Sequence, residues 1–358
     1  MWKWIGVGLG LTACTAAALV HGVTATAAPS MLVLGILWLF VPAPLVFLWR
    51  VFRRPSGVLR GLASAYVAVS VLMAVAVLGL VGWIGSERGI HPAPCETLPR
   101  IEEYPAVQQG MQRVTFPSRE GTQRVGWFVP GSNGATVVLL HGYRCDKREM
   151  LPHASFLHDA GYSVLLFDFR NRGESAGDAV TLGYYERQDA LGAVDYLKTR
   201  GDVDAKRIGV LGVSMGGATA VLAAAVGPDL RAVVTESAFR TADSSIEEAF
   251  THFIHLPRFP YAPITTQIIQ WRLGVKTSAV SPQRDIARIS PRPVFIIHGL
   301  ADETISPDNA RDLYAAAGQP KELWLVPGSG HAHAVDVAHD EYVRRVTRFF
   351  DNNLGVVK

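Results

Sequence analysis

The run Arg207-Ile208-Gly209-Val210-Leu211-Gly212-Val213-Ser214-Met215-Gly216-Gly217-Ala218 carries an apolar strand into a small-residue helix through one tight turn. Residues 207–211 read as a strand and residues 218–226 as a helix, so the G-x-S-x-G spelling stands in a strand–turn–helix context. The physics explains the spelling. The serine must occupy a strained turn for its hydroxyl to project above a sheet. A Cβ two positions to either side would clash there. The following helix start adds backbone N–H groups and positive potential beside the nucleophile.

A serine is a poor nucleophile without a base, and the base needs an acid to orient it. An apolar strand at 294–297 runs into His298-Gly299-Leu300-Ala301-Asp302-Glu303. Asp302 falls at the C-terminal end of that strand, where the sites of such sheets gather; Glu303 is its rival. A strand at 323–326 leads into Pro327-Gly328-Ser329-Gly330-His331-Ala332-His333. His331, first after the glycines, is the expected base, and His333 is its rival. His331, His333, Asp336 and His339 also suggest a metal set, but the spacing is loose and no second ligand cluster accompanies it. No metal and no cofactor are therefore expected. An oxyanion needs two N–H donors. One is expected from Met215. The other is expected from Tyr143, in the loop His141-Gly142-Tyr143-Arg144 that follows the strand at 136–140. His141 reads as an organiser of that loop.

Further apolar runs at 125–129, 164–167, 208–211 and 232–235 are apolar throughout, as in parallel strands covered on both faces. Helical patterns at 147–160 and 186–200 lie between them. Tyr342, Val343, Val346, Phe349 and Phe350 share one helical face near the C-terminus. Strand–helix alternation argues for an open doubly wound α/β sheet. Residues 238–291 exceed one crossover helix and are expected to form a small helical cap. Its Phe250, Phe253, Phe259, Tyr261 and Trp271 could line an acyl pocket or pack a lid.

With these residues in place the sequence resembles the α/β-hydrolase superfamily over roughly residues 111–350. The landmarks are His141-Gly142, the loop Asp168-Phe169-Arg170-Asn171-Arg172-Gly173-Glu174-Ser175, the elbow at Ser214, His298-Gly299 with Asp302, and Gly330-His331. Asp168 reads as a loop-ordering residue. The likeness is greatest to membrane-anchored, esterase-like single-domain serine hydrolases of the serine-aminopeptidase-like kind. It implies an α/β-hydrolase fold with Ser214, Asp302 and His331 as triad and no cofactor. Substrates vary within the fold and do not carry over. An ester hydrolase is the leading expectation. An amidase or peptidase, an acyltransferase, and a catalytically idle scaffold are the alternatives, though a scaffold needs neither elbow, acid nor histidine.

The remaining third of the chain differs in composition. The 358 residues are 49% hydrophobic and 18% charged, with a formal net charge of +3. Residues 1–85 hold Lys3, Arg50, Arg53, Arg54 and Arg60 and no acidic residue. The basic balance thus sits at one end, unlike the spread surface of a nucleic-acid binder. Uncharged apolar segments at 4–20, 31–49 and 62–85 are each long enough to cross a bilayer, so three transmembrane helices are expected. The arginines between 50 and 60, with Lys3, place that loop and the N-terminus in the cytoplasm. Residues 108–358 then form an extracytoplasmic hydrolase domain behind a linker at 86–107, on an integral protein of the cell membrane. Ala25-Thr26-Ala27 would also suit signal-peptide cleavage after the first segment. Pro42 and Pro44 would suit a re-entrant second segment, which would reverse the topology. The expected partners are the membrane and a small or lipid-like acyl substrate, with no nucleic acid; oligomeric state is open. Cys95 and Cys145 can pair if the domain is extracytoplasmic, and two free thiols fit the sequence equally well.

Overall fold

The computed structural model describes residues 57–355. The apolar segments at 4–20 and 31–49, their basic flanks up to Arg54 and the small-residue cleavage motif lie outside the described residues. In chain order the main elements are α1 (Gly57–Ile90), β1 (Gln112–Pro117), β2 (Gln123–Val129), β3 (Thr136–Leu140), α2 (Leu151–Asp159), β4 (Ser163–Phe167), α3 (Glu186–Thr199), β5 (Ile208–Val213), α4 (Met215–Val226), β6 (Leu230–Glu236), α5 (Ala242–Ala249), α6 (Arg258–Leu273), β7 (Val294–Gly299), α7 (Asp308–Ala316), β8 (Lys321–Val326) and α8 (His339–Leu354). Two compact units divide the chain: Met1–Ser86 with Ala249–Ile268, and Glu87–Glu248 with Ile269–Lys358.

In the first unit α1 contains the third apolar segment. Within Gly61–Ile90 an 18-residue window reaches a mean hydropathy of 2.5, so the helix is long and apolar enough to cross a membrane; it is the one such helix among the described residues. The helix also runs five residues into the expected extended linker. Ser86–Ile90 holds no proline and tolerates its one glycine, Gly89, and the helix ends just before Pro92, whose ring disfavours helical geometry in its predecessor. The other described part of this unit, residues 249–268, is the middle of the expected cap and is helical: a π-helical turn at Phe250–Ile254 and most of α6. Phe250 and Tyr261 are buried and stack at 6.5 Å, whereas Phe253 and Phe259 are exposed.

The second unit is built on one eight-stranded sheet of order β1-β2-β4-β3-β5-β6-β7-β8. The β1–β2 and β2–β4 pairs are antiparallel and the other five are parallel. This is the mostly parallel sheet that the resemblance implies. Strands β3, β4 and β5 are buried along their whole length, which is why their sequences show no polar alternation. Val138 and Leu140 enter one core layer with residues of α3 and α4, while Val137 and Leu139 enter the other with residues of α2 and α8. Strand β1 was not expected: its sequence QRVTFP is half polar because it lies at the sheet edge with most side chains outward.

The Asp168 loop follows from local chemistry. The Asp168 carboxylate accepts the N–H groups of Lys147 and Glu174, both at 2.8 Å, and pairs with the buried Lys147 ammonium at 2.7 Å. Gly173 has φ +48°, and a Cβ there would lie 2.3 Å from that carboxylate. Ser175 donates to the Asp168 carbonyl at 2.6 Å and accepts from the Val125 N–H at 2.9 Å. Each lettered position of D-x-R-x-x-G-x-S thus has a structural duty, since Arg170 binds Asp189 at 2.7 Å.

Arg124 and Asp189 form a fully buried ion pair at 3.0 Å, shared with Arg170. Removing one partner of such a pair leaves an uncompensated charge. Asp189→Ala should therefore lower the unfolding free energy by about 3–5 kcal/mol, read as a lowered thermal midpoint in detergent. An unchanged midpoint would show that water reaches Arg124.

Candidate active site

Ser214 joins β5 to α4 with φ +54° and ψ −119°, a conformation that side-chain-bearing residues avoid. The turn is enforced from three directions. A Cβ on Gly212 would lie 2.2 Å from the Gly216 carbonyl oxygen, one on Gly216 would lie 2.1 Å from the Leu140 carbonyl oxygen, and one on Gly217 would lie 2.6 Å from Thr235 Oγ1. The Ser214 N–H donates to the Glu236 carbonyl at 2.8 Å. Strands β3 and β6 on either side of β5 thus hold the turn, and the three glycines permit the approach. Met215 is the first residue of α4, where an N–H has no acceptor within the helix.

Asp302 and His331 come to this serine from the ends of β7 and β8. The Ser214 hydroxyl lies 2.9 Å from His331 Nε2, and His331 Nδ1 lies 2.8 Å from Asp302 Oδ2. Gly299 brings the two loops together, since a Cβ there would sit 2.3 Å from the Ser329 carbonyl oxygen. Asp302 Oδ1 accepts the N–H groups of Thr304 and Ile305 at 3.0 and 2.9 Å. Its Oδ2 also faces the buried His298 Nε2 at 3.1 Å. Burial alone would push this carboxyl up. The hydrogen bonds from His298 and His331 and the other donors outweigh it and hold Asp302 well below the usual carboxylate range. The rivals lie elsewhere: Glu303 is exposed, and His333 is exposed and pairs with Asp336 at 2.8 Å. His339 Nδ1 lies against the Val335 carbonyl at 3.3 Å, and among the described residues His331, His333, Asp336 and His339 do not bring three ligand atoms together.

The loop after β3 carries Tyr143. His141 accepts the Phe169 N–H on Nε2 at 3.0 Å and contacts the Gly142 carbonyl through Nδ1 at 2.7 Å. Burial pushes its pKa down, so it stays neutral. The Gly142 N–H donates to the Glu149 carboxylate. The Tyr143 hydroxyl reaches the carbonyl oxygens of Arg88 and Gly89 at 2.8 and 2.6 Å, capping the last turn of α1. Cys95 and Cys145 are joined as a disulfide with a Cα–Cα distance of 4.9 Å. Arg144 Nε adds a bond to the Ala93 carbonyl at 3.1 Å. The last turn of α1 and the segment after it are therefore fastened to the loop that follows β3.

Sequence reasoning missed Glu236. This carboxylate ends β6 and is fully buried. It accepts the Ala334 N–H at 3.0 Å and the Tyr342 hydroxyl at 2.7 Å, with His153 Nε2 at 3.7 Å. Burial would raise its pKa, but His153, Tyr342 and Ala334 together draw it below the ordinary value. Beside it, Ser237 Oγ accepts the Ala332 N–H at 3.1 Å. Both residues thereby hold the loop that carries His331. The available signal was an acid directly after the run at 232–235.

Fold and site together define a serine hydrolase of the α/β-hydrolase class. Residues 150–357 match the profile of the prolyl oligopeptidase family, and the chain belongs to that family. It is 30% identical over 241 residues to YfhR of Escherichia coli (strain K12), covering 65% of this chain and 78% of that protein. Among solved structures it is similar to the Pyrococcus furiosus esterase Pf2001, with 24% identity and a TM-score of 0.59 over 73% of this chain and 99% of the esterase. It is also similar to the Pyrococcus horikoshii acylaminoacyl peptidase, with 17% identity and a TM-score of 0.53 over 69% of this chain and 42% of the peptidase. At these identities the two structures speak for the fold.

Glu236→Gln tests the hold on the His331 loop. An amide offers one acceptor oxygen where the carboxylate offers two, so the Ala334 N–H or the Tyr342 hydroxyl loses its partner. The expected cost is about 1–3 kcal/mol of stability, with a lower kcat and an unchanged KM. An unchanged kcat would separate Glu236 from the site.

Proposed function

We propose that this chain is a membrane-anchored serine hydrolase that cleaves carboxylic esters through an acyl-enzyme on Ser214. The observation that carries the reading is the continuous chain Ser214 Oγ, His331 Nε2, His331 Nδ1, Asp302 Oδ2, with links of 2.9 and 2.8 Å, at the apex of a strained elbow. His331 Nε2 takes the hydroxyl proton as Ser214 Oγ bonds to the acyl carbon. The carbonyl electron pair moves onto oxygen, where the N–H groups of Met215 and Tyr143 receive it. The tetrahedral species collapses, the C–O bond to the leaving group breaks, and the alkoxide takes the proton from His331. Water then repeats the sequence, releasing the carboxylic acid and restoring Ser214. Asp302 stays anionic throughout and stabilises the imidazolium. Each oxyanion donor contributes roughly 3–4 kcal/mol at the transition state. No step calls for a cofactor.

The esterase reading draws support from Pf2001, which matches this chain over nearly its whole length. Peptide-bond cleavage by the same residues is the second reading, favoured by the family's name and by the acylaminoacyl peptidase. Anchoring is supported by α1. An outward-facing domain is supported by the arginines before α1 and by the Cys95–Cys145 disulfide, since such bonds persist in oxidising compartments. On this reading residues 1–85 are the membrane region and 108–358 the hydrolase, acting on a small or lipid-like acyl substrate.

Ser214→Ala should abolish labelling by a fluorophosphonate probe; labelling that persists would remove Ser214 from the mechanism. Asp302→Asn should lower kcat on the order of 10³–10⁴-fold. Matched ester and anilide substrates decide between the two readings, with faster ester turnover expected. Protease added to intact spheroplasts should digest the domain, and digestion only after lysis would reverse the topology.

A further inference from the structure

The first unit joins α1 to residues 249–268, and the depth of that junction can be read along the helix. Residues 61–86 of α1 hold no charge. Tyr66 and Trp83, 40% and 46% exposed, lie 17 positions apart. That is about 26 Å of helical rise, close to the roughly 30 Å of a bilayer's hydrocarbon core. Tyrosine and tryptophan favour the two membrane–water boundaries, so Trp83 marks the boundary at the C-terminal end of α1.

Residues 250–268 meet α1 at this level. A Cβ on Gly82 would lie 2.7 Å from Ile264 Cγ2 and 2.9 Å from Ile268 Cδ1, and one on Gly85 would lie 3.0 Å from Thr265 Oγ1 and 3.2 Å from Phe250 Cζ. Glycines on either side of Trp83 thus admit the neighbouring segment in close contact. On that segment Phe250 and Tyr261 are buried, yet Phe253 is 57% and Phe259 is 79% exposed. Rings left in water forfeit the favourable free energy of apolar burial. The charge pattern points the same way. Within residues 250–268 Arg258 is the one Lys, Arg, Asp or Glu, so the segment carries no acidic residue. Exposed apolar rings on a segment that meets α1 beside Trp83, with an arginine and no acidic residue, suit an anionic bilayer surface.

We propose that residues 250–268 are a second membrane-contact element. Phe253 and Phe259 sit at the headgroup–acyl boundary level with Trp83, and their partner is the lipid bilayer. The proposal rests on the anchoring of α1 and adds to it a surface that α1 alone does not supply.

The test uses the full chain in phosphatidylcholine–phosphatidylglycerol vesicles, with Phe253→Trp and Phe259→Trp prepared singly. Fluorophosphonate labelling equal to that of the unsubstituted chain verifies that each variant is folded. The fluorescence added by each tryptophan is expected to be blue-shifted. It should be quenched more by lipid brominated near the headgroup end of the acyl chain than by lipid brominated near the methyl end. A water-like emission, quenched by iodide and untouched by brominated lipid, overturns the proposal. A blue-shifted emission indifferent to brominated lipid also overturns it, and points to a second copy of the chain over the rings. An alkaline carbonate wash distinguishes the two levels of failure. A chain that stays in the vesicles with unquenched tryptophans defeats only this element, whereas a chain that washes off defeats the anchoring of α1 as well.

Discussion

The backbone of Ser214, held at positive φ between two neighbouring strands, is the constraint on which the rest of the site depends. Such a conformation costs about 1–3 kcal/mol and persists only where the surroundings over-determine it. Here they do so through the central position of β5. Strand β3 presses its Leu140 carbonyl against Gly216, and β6 accepts the serine N–H through Glu236. The same parallel packing sends the ends of β3, β7 and β8 to the same edge of the sheet as the elbow. Tyr143, Asp302 and His331 lie on those ends. One strained turn and one strand order therefore bring Ser214, Asp302, His331 and the loop of Tyr143 to one edge of the sheet.

Burying two carboxylates at that edge sets the second constraint. Asp302 and Glu236 are both buried, and each is enclosed by donors. Asp302 faces two histidines and two backbone N–H groups, and Glu236 faces a tyrosine, a backbone N–H and a nearby histidine. Buried charge is tolerated only when its lone pairs are satisfied. The donors also lock each carboxylate in one orientation. Asp302 can then orient His331, and Glu236 can pin the loop from which His331 projects. Much of the positioning in this site is thus a by-product of satisfying buried charge.

What was legible in the sequence follows from range. The elbow could be read because its glycines, serine and flanking strand and helix are contiguous. Strands β3 to β5 could be read because burial on both faces leaves an unbroken apolar run. Asp302 and His331 could be placed because each follows such a run on a short loop. His298 stood four positions before Asp302 in plain view, but its bond to that carboxylate needs the turn geometry. Glu236 was illegible because its partners, Ala334, Tyr342 and His153, lie 83 to 106 residues away. Strand β1 was hidden by the polar face of a sheet edge. The disulfide could be posed as a pairing but not decided, since only the fold brings Cys95 against the loop that follows β3.

The central claim, that turnover passes through an ester on Ser214, can be observed directly. The chain is mixed with a slowly hydrolysed ester, quenched in acid during steady turnover, and its mass measured before and after digestion. The account predicts a mass increase equal to the acyl group, carried by the peptide that contains Ser214 and lost as substrate is exhausted. Turnover at full rate with no acylated peptide, or with the acyl group on another residue, would contradict it.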